Sequence, residues 1–393
     1  MENFRREDIR KELAYSPYVE ISLDNLLYNL AQIRSVLPDG IGVIAVVKDC
    51  AYGCGSAKTA LILEKQGGVE FFAVARPQEA FYLREAGINA SVLVLGQANE
   101  SEICLGVKRN IVFTLNDIKD IKDWKERGVD VRFHIHVDTG MNRMGILSSE
   151  IDEVIGQLKN ASNLRLEGIY THMASADEPD TSTVDNQLKK FTYCIERLRA
   201  AGFSPAHIHY GNSAAFLRFP VDGCNLVRPG IALYGCNPDP TQDFNVNLKQ
   251  AASLNSRVVK MKKVAAGEPV SYGGNYITKK ETWIATIALG YAHGLPRFLN
   301  GVGEVLINGK RYRIAGNVTM DYIMADAGPN PTINVGDDVT AIGYQGDEVI
   351  TADQIAIHGK TIGYEILCNL RTSIDRFYTL NGEIIHHDSG VIF

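Results

Sequence analysis

A lysine that closes an apolar run is the first residue whose setting suggests chemistry. Lys48 ends VIAVVK and is followed by Tyr52 and the glycines of YGCG. Most lysines are solvated, and a strand end is an ordinary place for one to emerge. In a partly desolvated pocket, however, an ammonium loses proton affinity and becomes a nucleophilic amine able to form a Schiff base. Four further strings carry polar groups at comparable places. In HIHVDTGMNRMG, strand alternation sets His134, His136 and Asp138 on one face, and Arg143 follows in a glycine-flanked loop suited to a carboxylate or phosphate. Two histidines could ligate a metal, but no third ligand lies nearby in the sequence, so no metal site is expected. GIYTHMASADE leaves His172 at another strand end, where a lone histidine is more often structural than catalytic.

Two strings point to phosphate. In HIHYGNSAAF a strand ends at Asn212 and Ser213, and a helical pattern begins. Ser213 is the expected N-cap, and a helix N-terminus with a free hydroxyl and N–H groups binds phosphate well, although capping alone would explain it. In LVRPGIALYG, Arg228 precedes Pro229, and the N–H groups of Gly230 and Ile231 are free to face an anion.

The elements that must position these groups alternate. Short β-branched runs are expected as strands at 42–48, 71–75, 91–96, 111–115, 131–138, 164–171, 207–211 and 226–235. Helical patterns lie between them at 57–65, 77–86, 118–127, 150–159 and 186–201. Such alternation implies parallel pairing, because each crossover must cover a face of the sheet. Eight strands in this arrangement predict an α/β fold with a closed (β/α)8 TIM barrel; an open doubly wound sheet is the alternative. In a barrel, active groups gather at the C-terminal strand ends, where Lys48 would lie. Past residue 245 short β-rich segments at 256–264, 283–288, 302–307, 312–315 and 339–343 alternate with turns such as NGKR, and helical patterns reappear only at 351–357 and 362–369. The expected division is 1–245 for the barrel, with a short N-terminal arm over 1–16, and 246–393 for a mostly-β C-terminal domain.

Bulk composition narrows the classes. The 393 residues are 45% hydrophobic and 22% charged, which fits two or three globular domains rather than a disordered or fibrous chain. Forty basic against 46 acidic residues, a formal charge of -6, argue against nucleic acid and anionic membranes as partners. Seven scattered cysteines without CxxC pairs form neither a disulfide framework nor a structural zinc site. The charged N-terminus lacks the apolar core of a secretory signal, and no apolar run reaches the length of a membrane span, so a cytoplasmic enzyme is expected.

Taken together and in order, these strings resemble the alanine racemase family, whose members interconvert L- and D-alanine with pyridoxal 5'-phosphate (PLP). The resemblance runs from YVEISLDNLLYNL to GYEILCNL and includes VSYGGNY, IALGYAHG and GNVTMDY in the second domain. It implies a barrel followed by a β domain. It also implies that Lys48 holds PLP as a Schiff base, with Tyr52, Ser213, Tyr364 and the N–H groups of Gly230 and Ile231 around the phosphate. His172 and Asn212 would join the cofactor-binding set. Arg228 would face the pyridine nitrogen, with His209 and His172 in a network around it. Tyr272, in VSYG, would be the second base, serving the L face while Lys48 serves the D face. A free phenol titrates near ~10, so a neighbour such as His172 must make the phenolate accessible. Arg143 and the N–H of Met320 would hold the substrate carboxylate, with Asp321 nearby, and Asp177, Tyr291, Arg297 and Tyr364 would line the entry corridor. The resemblance further implies a head-to-tail homodimer with Tyr272 acting in trans, and a part in D-alanine biosynthesis.

Several positions depart from the family pattern. Cys54 stands where AYGHG has histidine, Cys50 where Asn or Asp is common, His293 replaces the acid of GYADG, and Thr319 replaces the cysteine of CMD. His136 stands where many members carry a lysine, often carbamylated, that orients the substrate-binding arginine. A bound anion or another side chain is then expected to position Arg143. These changes lie near the substrate, so serine or a broader amino-acid range is the alternative to alanine. The rival functions are a PLP decarboxylase of the same architecture, which needs no tyrosine base, and a non-catalytic PLP- or inhibitor-binding relative.

Overall fold

The computed structural model describes residues 13–390. Eight parallel strands form the barrel: Gly42–Val46, Phe71–Val74, Ser91–Val94, Phe113–Leu115, Val131–Asp138, Leu164–Tyr170, His207–Asn212 and Leu226–Arg228. Strand eight pairs with strand one through Leu226 opposite Gly42 and Val227 opposite Val43. Strands three and four meet at a single bridge, Leu93 to Val112, supported by Val94 N–H to Val112 O and Val112 N–H to Val92 O, both 2.9 Å. The ring therefore closes, which excludes the open doubly wound sheet. Most of the strand side chains are apolar and buried, as in Val43, Ile44, Ala45 and Val46, with His134, His209 and Arg228 buried among them.

The covering helices start where the sequence offers caps. Asn99 Oδ1 accepts the N–H of Glu102 (3.0 Å) while Glu102 Oε2 accepts that of Asn99 (2.8 Å), so two orphan donors at the start of Glu100–Lys108 are satisfied reciprocally. Strand eight is shorter than expected: it stops at Arg228, and residues Ile231–Tyr234 coil into a 3-10 turn. Pro229 cannot donate to the ladder, which accounts for the early end.

The second sheet is built around the long strand Ala252–Val264, which pairs antiparallel with Thr282–Ile287, Asp338–Gln345 and Tyr18–Ser22. Tyr18–Ser22, early in the chain, thus sits in the second sheet and not with the barrel strands around it in sequence. Its other neighbour is Asp375–Leu380, which it joins in parallel. Most of the expected N-terminal arm falls outside the described residues. The hairpin between Asp375–Leu380 and Glu383–Asp388 turns on Asn381 and Gly382, both at positive φ (53° and 78°), the pair of left-handed positions that a two-residue hairpin loop needs.

The two parts share one continuous apolar core. Buried Arg376 of the second part donates to Gly53 O (3.0 Å) just past Tyr52, and to Leu370 O (3.0 Å). Helix Gly363–Cys368 brings Tyr364 over the barrel mouth. Among the described residues no helix is long and apolar enough to cross a membrane.

Candidate functional site

A cavity of about 710 Å³ opens at the C-terminal ends of the barrel strands. Lys48, Tyr52, His136, Arg143, His172, Asn212, Ser213, Arg228, Gly230, Ile231 and Tyr364 all line it. Lys48 emerges two residues past strand one. The next four residues, Asp49, Cys50, Ala51 and Tyr52, have φ of 52°, 57°, 52° and 54°. Four consecutive non-glycine residues in the left-handed helical region cost about 1–2 kcal/mol each, so surrounding contacts must hold them there. Glu79 is one such clamp: its Oε1 accepts the Asp49 N–H (2.6 Å) and its Oε2 those of Ala75 and Arg76 (2.9 Å each). Gly53 completes the turn at φ 86°, where a Cβ would collide with Leu367 O. The turn buries Tyr52 against Tyr234 at a 4.7 Å ring separation.

Hydroxyls gather at one end of the cavity. Ser213 is not the N-cap: Asn212 is, its Oδ1 accepting the Ala215 N–H at 3.0 Å. Ser213 Oγ instead accepts the N–H groups of Gly230 (3.0 Å) and Ala232 (3.4 Å). Those bonds use its lone pairs and leave its own hydrogen to donate. Gly230 must lack a side chain, since a Cβ there would lie 2.5 Å from the Tyr52 hydroxyl. Burial pushes the phenols of Tyr52 and Tyr364 upward, so both remain neutral donors. Three neutral hydroxyls around one end form a donor set that fits a phosphate group.

Arg228 is 3% exposed, and no carboxylate among the described residues pairs with it. Its Nη1 donates to His209 Nδ1 (2.8 Å) and His209 O (3.1 Å), and its Nη2 to Thr171 O (2.8 Å). Nη2 also reaches His172 Nδ1 at 3.3 Å. Burial lowers its pKa to about 10, which leaves it a cation at neutral pH. A buried cation without a counterion is costly and suits a site that receives an anionic or electron-rich ligand.

The imidazoles are neutral. Burial first, then the Arg228 charge, lowers the pKa of His172 and of His209 well below the usual value. His172 faces two donors, Arg228 Nη2 at 3.3 Å and Asn212 Nδ2 at 3.5 Å, and can accept from only one. The shorter, charged donor wins, which leaves a proton on Nε2. Gln187 fixes this segment by donating to His172 O and Thr139 Oγ1 (3.0 Å each). Tyr170 was not expected in the site. It stacks between His136 (4.5 Å) and His209 (4.9 Å), with the Arg228 guanidinium 5.1 Å from its ring centre. Those three rings come from adjacent strands five, six and seven, a proximity that only the barrel register reveals.

The remaining expected residues lie elsewhere. Tyr272, Met320, Asp321, Tyr291 and Arg297 are exposed, and neither they nor Asp177 line the cavity. Tyr272 is 75% exposed, held outward after Ser271 at φ 70°. Asn317 Nδ2 donates to Tyr272 O (2.8 Å), and the N–H groups of Tyr291 and Ala292 donate to Thr319 O and Met320 O (3.0 and 3.1 Å). Tyr272, Met320 and Tyr291 therefore share one external face of the β-rich part.

The fold and cavity define a two-part α/β-barrel enzyme whose cavity is lined by a lysine and a buried arginine. Residues 21–238 match the model of the alanine racemase N-terminal domain, and residues 251–378 that of its C-terminal domain. The chain belongs to the alanine racemase family of isomerases. It is 36% identical to an alanine racemase of Halothermothrix orenii, over 94% of this chain and 98% of that one. With one from Carboxydothermus hydrogenoformans it shares 39% identity over 92% and 99%. Alanine racemase of Clostridium difficile 630 superimposes with a TM-score of 0.88 at 33% identity, covering 96% and 99%. That of Bacillus anthracis with bound L-Ala-P gives 0.87 at 37%, covering 95% and 98%.

Proposed function

We propose that this chain racemises alanine with PLP bound at Lys48, as a cytoplasmic homodimer that supplies D-alanine. Bound PLP supplies the electron sink that acidifies the α-hydrogen of an amino acid. Tyr52, Ser213 and Tyr364, with the Ile231 N–H, would hold the phosphate, the Gly230 N–H would orient the Ser213 hydroxyl for that task, and Asn212 and His172 would flank the cofactor. The observation that carries the reading is the pairing of Lys48 with the counterion-free cation Arg228 in one cavity. Arg228 can donate but not accept, so it would hold the ring nitrogen of a bound PLP unprotonated, and the weaker electron sink PLP would then supply suits racemisation rather than transamination.

Racemisation needs a proton carrier on each face of Cα. Lys48 serves the D face. The exposed face that bears Tyr272 supports a dimer in which a second copy inserts this tyrosine over the L face. There the Nε2–H of His172 stabilises the phenolate by donating to it. Arg143 and the N–H of Met320 hold the substrate carboxylate, with Asp321 nearby, and Tyr291, Arg297, Asp177 and Tyr364 line the entry corridor. The domain division at residues 245 and 246 belongs to the same reading, with Tyr18–Ser22 as the strand that the first part lends to the second.

The test is proton exchange in deuterated water, following α-proton loss by NMR and D-product by chiral chromatography for L-alanine, L-serine and larger amino acids. Exchange with D-alanine formation is expected. Exchange without inversion would remove Tyr272 from its role, and no exchange despite bound PLP would overturn the enzyme reading.

A further inference from the structure

Arg143 has no hydrogen bond or ion pair among the described residues, yet it lines the cavity beside His136. Its loop is seated on that histidine. Asp138 Oδ1 accepts the N–H groups of Gly140 (2.9 Å) and Asn142 (3.1 Å), and Ile146 rejoins the strand opposite Val137. Between these anchors Gly145, at φ 106°, crosses so closely that a Cβ would stand 3.0 Å from His136 Cγ.

The orientation of His136 is over-determined. Asn116 Nδ2 faces Leu95 O at 3.4 Å, which turns its Oδ1 toward His136 Nδ1 at 2.9 Å. An amide oxygen only accepts, so Nδ1 carries the proton and Nε2 is a bare lone pair. Stacking on Tyr170, with ring planes 10° apart, fixes the remaining rotation. Nε2 has no partner among the described residues.

We infer that His136 is the positioning residue for Arg143: its Nε2 lone pair, unpartnered among the described residues, is presented to accept a guanidinium N–H once a carboxylate draws the arginine into place, in the tautomer imposed by Asn116. This rests on the proposed role of Arg143 in holding the substrate carboxylate. From the sequence, a bound anion or another side chain is expected in that task. Burial first, with Arg228 and Arg143 adding to it and Asp138 opposing, holds the His136 pKa down to about 3, and the neighbouring His172 and His209 are neutral. The imidazole therefore stays an acceptor at any pH at which the protein works. Being uncharged, it orients the guanidinium without cancelling any of the charge offered to the substrate.

The test uses the PLP-loaded enzyme with two readouts: KM and kcat for L-alanine, and the Kd of propionate, an unreactive carboxylate, by calorimetry. His136→Leu is expected to raise KM and the propionate Kd by about tenfold, the loss of one hydrogen bond to a charged group, with kcat changed far less. His136→Gln, which keeps an acceptor, recovers most of that loss. Asn116→Asp raises the histidine pKa, so propionate binding gains a new decline toward acid pH that the parent lacks. Unchanged binding in His136→Leu, or a parent enzyme whose propionate affinity requires chloride or bicarbonate, overturns the inference. Arg143→Ala separates the two levels: if it leaves the propionate Kd unchanged, the reading of Arg143 fails, and the inference with it.

Discussion

His209 Nδ1 lies 2.8 Å from Nη1 of Arg228, and that contact sets the tautomers of two buried histidines. An arginine only donates, so His209 accepts at Nδ1 and carries its hydrogen on Nε2. That hydrogen points at His134 Nδ1, 2.8 Å away. His134 in turn carries its hydrogen on Nε2, a buried donor without a partner among the described residues. The relay ends inside the barrel on an unsatisfied N–H, a cost of about 1–3 kcal/mol that orienting Arg228 must offset.

Stability should fall in acid. His134, His136 and His209 are neutral when folded, their pKa values lowered chiefly by burial. Unfolded histidines titrate near ~6.5. Below that pH the unfolded chain binds more protons than the folded one. Their contribution is therefore complete above it and is lost as pH drops toward each folded value, about 3 for His136. Each histidine contributes about 1.4 kcal/mol per pH unit within its window. Urea denaturation at pH 7, 6 and 5 should show a steadily falling midpoint, with a shallower fall in His209→Gln.

Subunit mixing should reveal the origin of Tyr272. Lys48→Ala and Tyr272→Phe homodimers should each lose about 100-fold or more in racemisation, the usual scale for a missing acid–base group. Random mixing of the two should restore roughly a quarter of the parent activity, because each mixed dimer holds one intact site. No recovery after subunit exchange, verified by mass spectrometry, would place Tyr272 in cis.

The left-handed turn stores strain that substitution can release. Cys50 has φ 57° and is only partly buried. Cys50→Gly should stabilise the protein by roughly 0.5–1 kcal/mol, and Cys50→Val should destabilise it by about 1–2 kcal/mol. Thermal unfolding of the two variants would show opposite shifts.

Ser213→Ala removes the hydroxyl proposed to donate to the phosphate and the acceptor for two peptide N–H groups. The apparent Kd for PLP should rise about tenfold or more, read by titrating cofactor into apoenzyme. Ser213→Thr, which keeps the hydroxyl, should lie between the variant and the parent.

The barrel was legible because its eight strands are short runs rich in apolar residues separated by helical periodicity, and the C-terminal helices and the NGKR turn were legible on local grounds. Long-range partners were not. Tyr18–Ser22, Ile323–Gly328 and Asp375–Leu380 gain strand identity from neighbours far along the chain. The cap at strand seven was misplaced by one residue, since Asn212 and Ser213 are both cap-competent and only the backbone register decides between them. None of Asp49, Cys50, Ala51 and Tyr52 is a glycine or asparagine, so no side chain announces the left-handed turn. The role of Asn116 was equally hidden, because an amide at a strand end has no distinctive pattern until its partner ring is placed.

The strand Tyr18–Ser22 also constrains how the protein is made. During synthesis it leaves the ribosome early, whereas Ala252–Val264 and Asp375–Leu380, which flank it, emerge much later. Thr379 Oγ1 reaches Ile21 O across 358 positions of the chain. Until then both edges of this strand, with its apolar Val19 and Ile21, are open, a state prone to misassociation. The barrel can close during translation, but the second sheet must wait for the chain's end. Truncation near the C-terminus would thus expose the beginning of the chain, and chaperone demand should fall on this strand.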